Sequence, residues 1–153
     1  MGQRGMTLIE LLICIAVFGI IASMAVPTLG QSMAKQELEG ASLQLAADIR
    51  WLQQIGINNG SGIVSYKLLF NTNTPYGYYV TANTQVIKKY TFPVSVKLSG
   101  IPSPIGFSLS GAPSGAQTIS LQSIKLKTMK YVILAPVTGR VRISDSNSLQ
   151  PGE

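Results

Sequence analysis

The sequence predicts an α+β protein in which one long N-terminal helix is followed only by short β-strands. Three observations predict this class: an apolar run at residues 11–26, a helical periodicity of apolar residues that continues to about residue 57, and short runs rich in Val, Ile, Tyr, Phe and Thr in the rest of the chain. At 153 residues, the chain suits a single modest core, and no second globular domain is expected.

The first element is an apolar helix that carries an acidic residue near its start. As a helix, residues 6–26 would rise about 31 Å, just enough to span a bilayer. Arg4 precedes this run, which predicts that the N-terminus stays in the cytoplasm and that the bulk of the chain faces outward. A carboxylate in hydrocarbon costs roughly 2.5 kcal/mol or more, so Glu10 at this position indicates a function and a partner.

The N-terminus resembles the leader and mature start of a type IV prepilin, since residues 1–5 read MGQRG and residues 6–12 read MTLIELL. The resemblance implies that a prepilin peptidase cuts between Gly5 and Met6 and that the new amino group of Met6 is methylated. It also implies that Glu10 pairs in the filament with the terminal amine of a neighbour, a buried contact that sets register. Pro27 falls where the family commonly has a helix-kinking proline, although it could simply mark the boundary between membrane and water.

Two alternatives to a cleaved prepilin stay open. The segment could be an ordinary secretory signal peptide with a cleavage site at residues 23–25, which would release a soluble protein that starts at Val26. It could also be an anchor that is never cleaved. The prepilin interpretation predicts a single pass in the cytoplasmic (inner) membrane and then a place in an extracytoplasmic filament on the cell surface. Its domains would be a leader (1–5), a transmembrane and filament-core helix (6–27), an amphipathic helix (28–58) and an extracytoplasmic β-rich domain (59–153).

The second half of the helix is predicted to be amphipathic, with an apolar stripe that carries the sheet. Apolar residues recur at three- and four-residue spacing at Leu38, Ala41, Leu45, Ile49, Leu52 and Ile55. The polar residues that fall mostly on the other face are Gln36, Glu39, Gln44, Asp48 and Gln53. Trp51 is expected to anchor the helix to the domain or to a neighbouring subunit, with packing in the core as the favoured form.

Beyond Gly62 the chain predicts nine short strands separated by Gly, Pro and Asn clusters. They cover residues 63–70, 77–81, 85–92, 94–98, 106–110, 118–121, 123–128, 131–135 and 140–144. The six prolines from Pro75 to Pro136 are expected at edges, ends or loops, because proline cannot donate to a ladder. The pairing order of the strands stays open.

One helix followed by short strands, together with this N-terminus, resembles the pilin fold, which implies that the outer half of the helix packs on antiparallel β-sheet. The stretch from Tyr131 to Ile143 resembles the end of the GspH/FimT group of minor pilins and pseudopilins. The function implied is that of a structural subunit, either a minor pilin or a pseudopilin, of a type IV pilus or of a type II secretion or competence pseudopilus. Its expected partners are other subunits, the prepilin peptidase and the cytoplasmic membrane.

The composition argues against an enzyme. The chain has no histidine, and its one cysteine, Cys14, lies within the apolar run, where it is expected to serve as a small apolar residue. Nucleophiles of the Cys/His kind and imidazole-based metal sites are therefore excluded, and no glycine cluster has the Lys-Ser/Thr of a phosphate-binding loop. We expect no catalytic residue, no metal site and no cofactor.

The outward domain is basic, with nine basic residues against two acidic ones from residue 63 onward. In strand geometry, Lys125 and Lys127 share one face, as do Arg140 and Arg142. The Gly-Arg-x-Arg pattern at residues 139–142 resembles one that carries DNA binding in FimT-like minor pilins, which implies Arg140 and Arg142 as DNA contacts. The paired lysines could meet successive phosphates in the same way, so Lys125, Lys127 and Lys130 join them as candidate contacts. The alternative is a solvated or subunit-facing basic surface that protects strand edges from aggregation.

Overall fold

The computed structural model describes residues 7–59 and 62–146. For residues 24–28 it describes the backbone only. By its internal contacts the chain divides into two compact units, Met1–Met33 and Ala34–Glu153. Helix α1 (Leu8–Asn58) contributes residues to both units. Each unit has its own character, the first apolar and helical, the second built around β-sheet.

In the first unit, the helix exposes its large apolar side chains between Leu8 and Ile21. Leu8 is 78% exposed and Phe18 is 77% exposed, and the other large apolar side chains up to Ile21 are exposed as well. Within residues 7–59 and 62–146, no helix is both long enough and apolar enough to cross a membrane. An exposed apolar surface as continuous as that of residues 8–21 marks a site of contact with other apolar matter.

In its described part, residues 34–59 and 62–146, the second unit contains eight strands in two four-stranded sheets. The strands are β1 (Tyr66–Asn71), β2 (Gly77–Ala82), β3 (Gln85–Thr91), β4 (Val96–Ser99), β5 (Ile105–Gly106), β6 (Gln117–Ser123), β7 (Met129–Leu134) and β8 (Val141–Ser144). The first sheet has the order β3-β2-β1-β5 and the second has the order β4-β6-β7-β8. Every strand pairing is antiparallel. The predicted α+β class, a long helix packed on antiparallel sheet, is confirmed.

One buried cluster joins the helix to both sheets. Leu38, Leu45 and Ile49 of α1 are at most 2% exposed. They pack in the same cluster as Leu68 of the first sheet and Leu121 of the second. The predicted apolar stripe is confirmed from Leu38 to Leu52. Intrinsic helix propensity contributes little to stability, so the helix is stabilised mainly by the burial of this stripe.

The prediction that Trp51 packs in the core is wrong. Its side chain is 39% exposed, and its ring lies 5.1 Å from the Nζ atom of Lys88. A cation over the face of an indole ring is a favourable contact that does not need full burial. Trp51 therefore lies at the margin of the core.

Eight strands replace the nine that the sequence predicts. The prolines from Pro75 to Pro136 lie outside all eight strands, as expected. Of the strand predicted at residues 106–110, only Gly106 lies in a strand, the two-residue β5. The strand predicted at residues 118–121 is longer than expected and ends at Ser123.

The strand predicted at residues 123–128 does not exist, because this segment forms the turn between β6 and β7. The N–H of Lys127 donates to the carbonyl of Ser123 at 2.9 Å, and the N–H of Leu126 donates to the Ser123 hydroxyl at 3.3 Å. Lys127 has a φ of 57°, the left-handed conformation common in hairpin loops. The alternation Ile-Lys-Leu-Lys imitates a half-buried strand, but the Ser123 hydroxyl offers the backbone a turn instead.

Candidate functional site

The predicted processing and assembly residues lie only partly within the described chain. Gly5 and Met6 fall outside the described residues, so the structure does not bear on the predicted cleavage site. Pro27 has a helical backbone within α1, and its side chain is outside the description. Glu10 lies in the first turn of α1 and is exposed. An acidic group in this turn is also favoured by the positive end of the helix dipole.

The start of α1 shows a capping contact that the sequence analysis missed. The N–H of Glu10 donates to the Thr7 carbonyl at 3.1 Å and approaches the Thr7 hydroxyl at 3.4 Å. Thr7 is the residue before the helix, three positions ahead of Glu10, and Thr-x-x-Glu is the spacing of a capping box. That spacing was the signal that could have predicted the helix start. Glu10 thus contributes to the helix through its backbone, whatever its carboxylate contacts.

A buried carboxylate connects helix α1 to the first sheet. Asp48 is 3% exposed, and its oxygens accept hydrogen bonds from the Tyr78 hydroxyl at 2.8 Å, the Lys88 ammonium at 2.7 Å and the Gln44 amide at 3.1 Å. The predicted position of Asp48 on the polar face of the helix is therefore wrong. Three donors, one of them charged, compensate the burial of this carboxylate. The pattern of the helix could not indicate the donors Tyr78 and Lys88, because these residues come from β2 and β3.

The surroundings of Asp48 favour a positioning role over chemistry. Burial raises the pKa of the Tyr78 phenol, and the hydrogen bond to Asp48 raises this pKa further, so the phenol remains a proton donor. The Tyr78 ring stacks on Tyr90 at a centroid distance of 5.3 Å and contacts Phe92 at 5.7 Å. These contacts hold the phenol in one place. The Asp48 cluster, defined as Asp48, Tyr78, Lys88 and Gln44, thus fixes the helix against the first sheet.

A second set of polar contacts joins the helix to loops beside the second sheet. Arg50 donates from Nη2 to the carbonyl of Val141 at 3.1 Å. One turn later, Gln53 donates from Nε2 to the carbonyls of Gly111 at 2.8 Å and Thr138 at 3.2 Å. Arg50 thus bonds to the first residue of β8, and Gln53 satisfies two loop carbonyls. The second half of α1 is therefore bonded to both sheets through side chains and not only by apolar packing.

The five predicted DNA contacts do not form one strand surface. Lys125 and Lys127 lie in the turn between β6 and β7, so the prediction that they share a strand face is wrong. Lys130, on β7, is only 19% exposed and forms an ion pair of 2.6 Å with Asp145. Arg142 lies on β8, and Arg140 immediately precedes that strand. The five residues therefore lie in three separate places: the β6–β7 turn, strand β7, and the start of the edge strand β8.

Comparison with known proteins bears on the N-terminus alone. Residues 1–26 match the family model described as the prokaryotic N-terminal methylation motif. This match confirms that the N-terminus is of the type IV prepilin-like kind, and it says nothing about residues 27–153. No curated protein and no solved structure matches the chain.

Proposed function

We propose that this protein is a non-enzymatic structural subunit, a minor pilin or pseudopilin, of a type IV pilus or of a type II secretion or competence pseudopilus. The observation that carries the proposal is the methylation motif at residues 1–26. Such a motif favours a subunit that assembles with others over an enzyme. The long helix with its antiparallel sheets supports the same function.

The proposed course begins in the cytoplasmic membrane. A prepilin peptidase removes residues 1–5, Met6 becomes the methylated N-terminus, and residues 6–26 hold the subunit in the membrane until it enters a filament. The exposed apolar surface of residues 8–21 supports this role, because it would be covered by lipid first and by neighbouring helices afterwards. The Glu10 carboxylate then forms an ion pair with the terminal amine of a neighbouring subunit.

The proposed role of Glu10 is tested with Glu10→Gln. Glutamine keeps the size and the capping spacing but removes the charge. We expect the variant to enter the membrane normally and to be depleted from sheared filaments at least tenfold, as measured by immunoblotting. Glu39→Gln, a change at an exposed acid on the same helix, is the control and should assemble normally. Normal assembly of Glu10→Gln would contradict the register role.

Processing is tested separately with Gly5→Leu. A bulky side chain next to the scissile bond should block the peptidase, and the protein should keep residues 1–5, as intact mass would show. If Gly5→Leu is shortened like the native chain, then the cleavage site lies elsewhere.

A second candidate function is DNA binding by the basic outward domain. The specific observation that favours it is the excess of nine basic over two acidic residues from residue 63 onward. The first contacts would be Arg142 on β8 and Arg140 directly before it, with Lys125 and Lys127 in the β6–β7 turn. Lys130 is the least favoured, because Asp145 already neutralises it.

This second function is tested by titrating the full chain in detergent with duplex DNA at several salt concentrations. Four phosphate contacts would give a logarithmic salt slope near −3.6, at about 0.9 per phosphate. Arg140→Gln and Arg142→Gln should each reduce the slope by about 0.9, and Lys130→Gln should change it less. No binding at low salt would exclude DNA as a partner.

A further inference from the structure

One face of the second sheet points away from the helix. In β6, Ile119 and Leu121 are buried in the core cluster, so the alternate residues Ser120 and Gln122 lie on the opposite face. The strand register extends this face to Lys97, which pairs with Gln122, and to Tyr131, which pairs with Ser120. Arg142 shares the face, because it pairs with Ile133, two residues beyond Tyr131. We call this surface the outer face.

An aromatic ring lies along the outer face. The hydroxyl of Tyr131 donates to the sulfur of Met129 at 3.3 Å, and these two residues are separated by one position on the same strand. To reach that sulfur, the ring must lean along the strand and cannot stand upright from the sheet. Tyr131 is half-buried, so part of its ring is accessible to solvent.

Two cations flank this ring. Arg142 is one strand away from Tyr131 and two residues along, which places their Cα atoms about 8 Å apart. Lys97 lies on the opposite edge strand, and the line from Lys97 to Arg142 crosses the sheet over about 20 Å. The strands β4, β6, β7 and β8 contain no acidic residue. The outer face therefore combines an aromatic platform with positive charge at both ends.

We propose that the outer face binds single-stranded nucleic acid, with a base stacked on Tyr131 and phosphates contacting Arg142 and Lys97. A flat sheet with an aromatic ring suits unstacked bases, because every base offers a π-face while duplex bases keep theirs covered. This inference rests on the second proposed function and adds to it a strand preference and two contact residues, Tyr131 and Lys97.

The test uses the full chain in detergent with two probes, a fluorescent 15-nucleotide oligothymidylate and a 15-base-pair duplex, both at low salt. Tyr131→Thr removes the ring and introduces a β-branched residue, which also favours a strand. We expect this variant to bind the single strand on the order of tenfold more weakly and the duplex within twofold of the native chain. Tyr131→Phe, which keeps the ring, should retain single-strand affinity.

A further variant makes the result independent of the folding of Tyr131→Thr. Lys97→Gln should weaken both probes and lower the salt slope by about 0.7 for the single strand and about 0.9 for the duplex. Equal affinity of native protein for both probes, with no effect of Tyr131→Thr, would overturn the inference and leave duplex binding intact. No binding of either probe would remove the inference together with the second function. Binding of heparin but not of oligothymidylate would overturn it in favour of an acidic polysaccharide.

Discussion

Removing the Asp48 carboxylate should destabilise the β-rich unit more than any other single change of a charged side chain in helix α1. In Asp48→Ala, the buried hydroxyl of Tyr78 loses its acceptor, which costs about 1–3 kcal/mol. The Lys88 side chain is 38% exposed and can turn to water, so loss of this pair adds about 1 kcal/mol or less. Gln44 is half-buried and can also be hydrated. We therefore expect a loss of about 1–4 kcal/mol in the free energy of unfolding.

The assay is urea unfolding of the full chain in detergent, followed by the fluorescence of Trp51. This residue is the one tryptophan of the chain, and it lies beside Lys88, a member of the Asp48 cluster. Tyr78→Phe should cost about 1 kcal/mol by itself. In the double variant the two losses should not add, and their coupling should be about 1 kcal/mol or more.

The control is Glu39→Ala, because Glu39 is an exposed acid on the same helix. It should change the free energy of unfolding by about 0.5 kcal/mol or less. A loss below about 0.5 kcal/mol for Asp48→Ala, or strict additivity with Tyr78→Phe, would refute the role of the Asp48 cluster.

Three further predictions concern the same unit, and each is measured by unfolding. Because the pKa of Tyr78 is raised above its usual value near 10, the free energy of unfolding should fall as pH rises above about 10, and Tyr78→Phe should lessen that fall. Gly139→Ala should cost more than about 1 kcal/mol, because φ is 65° and the new Cβ would lie 2.4 Å from the Gln53 amide; Gly115→Ala, with open space around it, should cost less. Leu45→Ala should cost about 2–5 kcal/mol, in contrast to a change at an exposed leucine of α1.

The helix was largely predictable from the sequence because its signal is local. Buried positions from Leu38 to Leu52 follow the three- and four-residue spacing that any amphipathic helix must show. The strands from β1 to β3 were predicted within three residues at each end, because Gly and Asn clusters delimit them. The N-terminal motif was predictable for a different reason, since its meaning lies in the order of residues 1–12 and not in their packing.

The errors have the opposite cause, since each depends on residues distant in the chain. Asp48 is buried because donors arrive from β2 and β3, which a helix pattern cannot report. The Ser123–Thr128 turn has the alternation of a strand, and the pairing of β6 with β7, together with the local hydrogen bonds to Ser123, reverses the chain there. The prediction that Lys125 and Lys127 share a strand face failed for the same reason, because the turn places both residues outside any strand.

The central claim is that this chain is a prepilin-like subunit matured at its N-terminus. The most direct test is the intact mass of the protein purified from its native membrane, together with the identity of its first residue. The account predicts a chain that begins at Met6 with a methylated amino group. A chain that begins at Val26, or one that keeps Met1 with residues 2–5 intact, would contradict it.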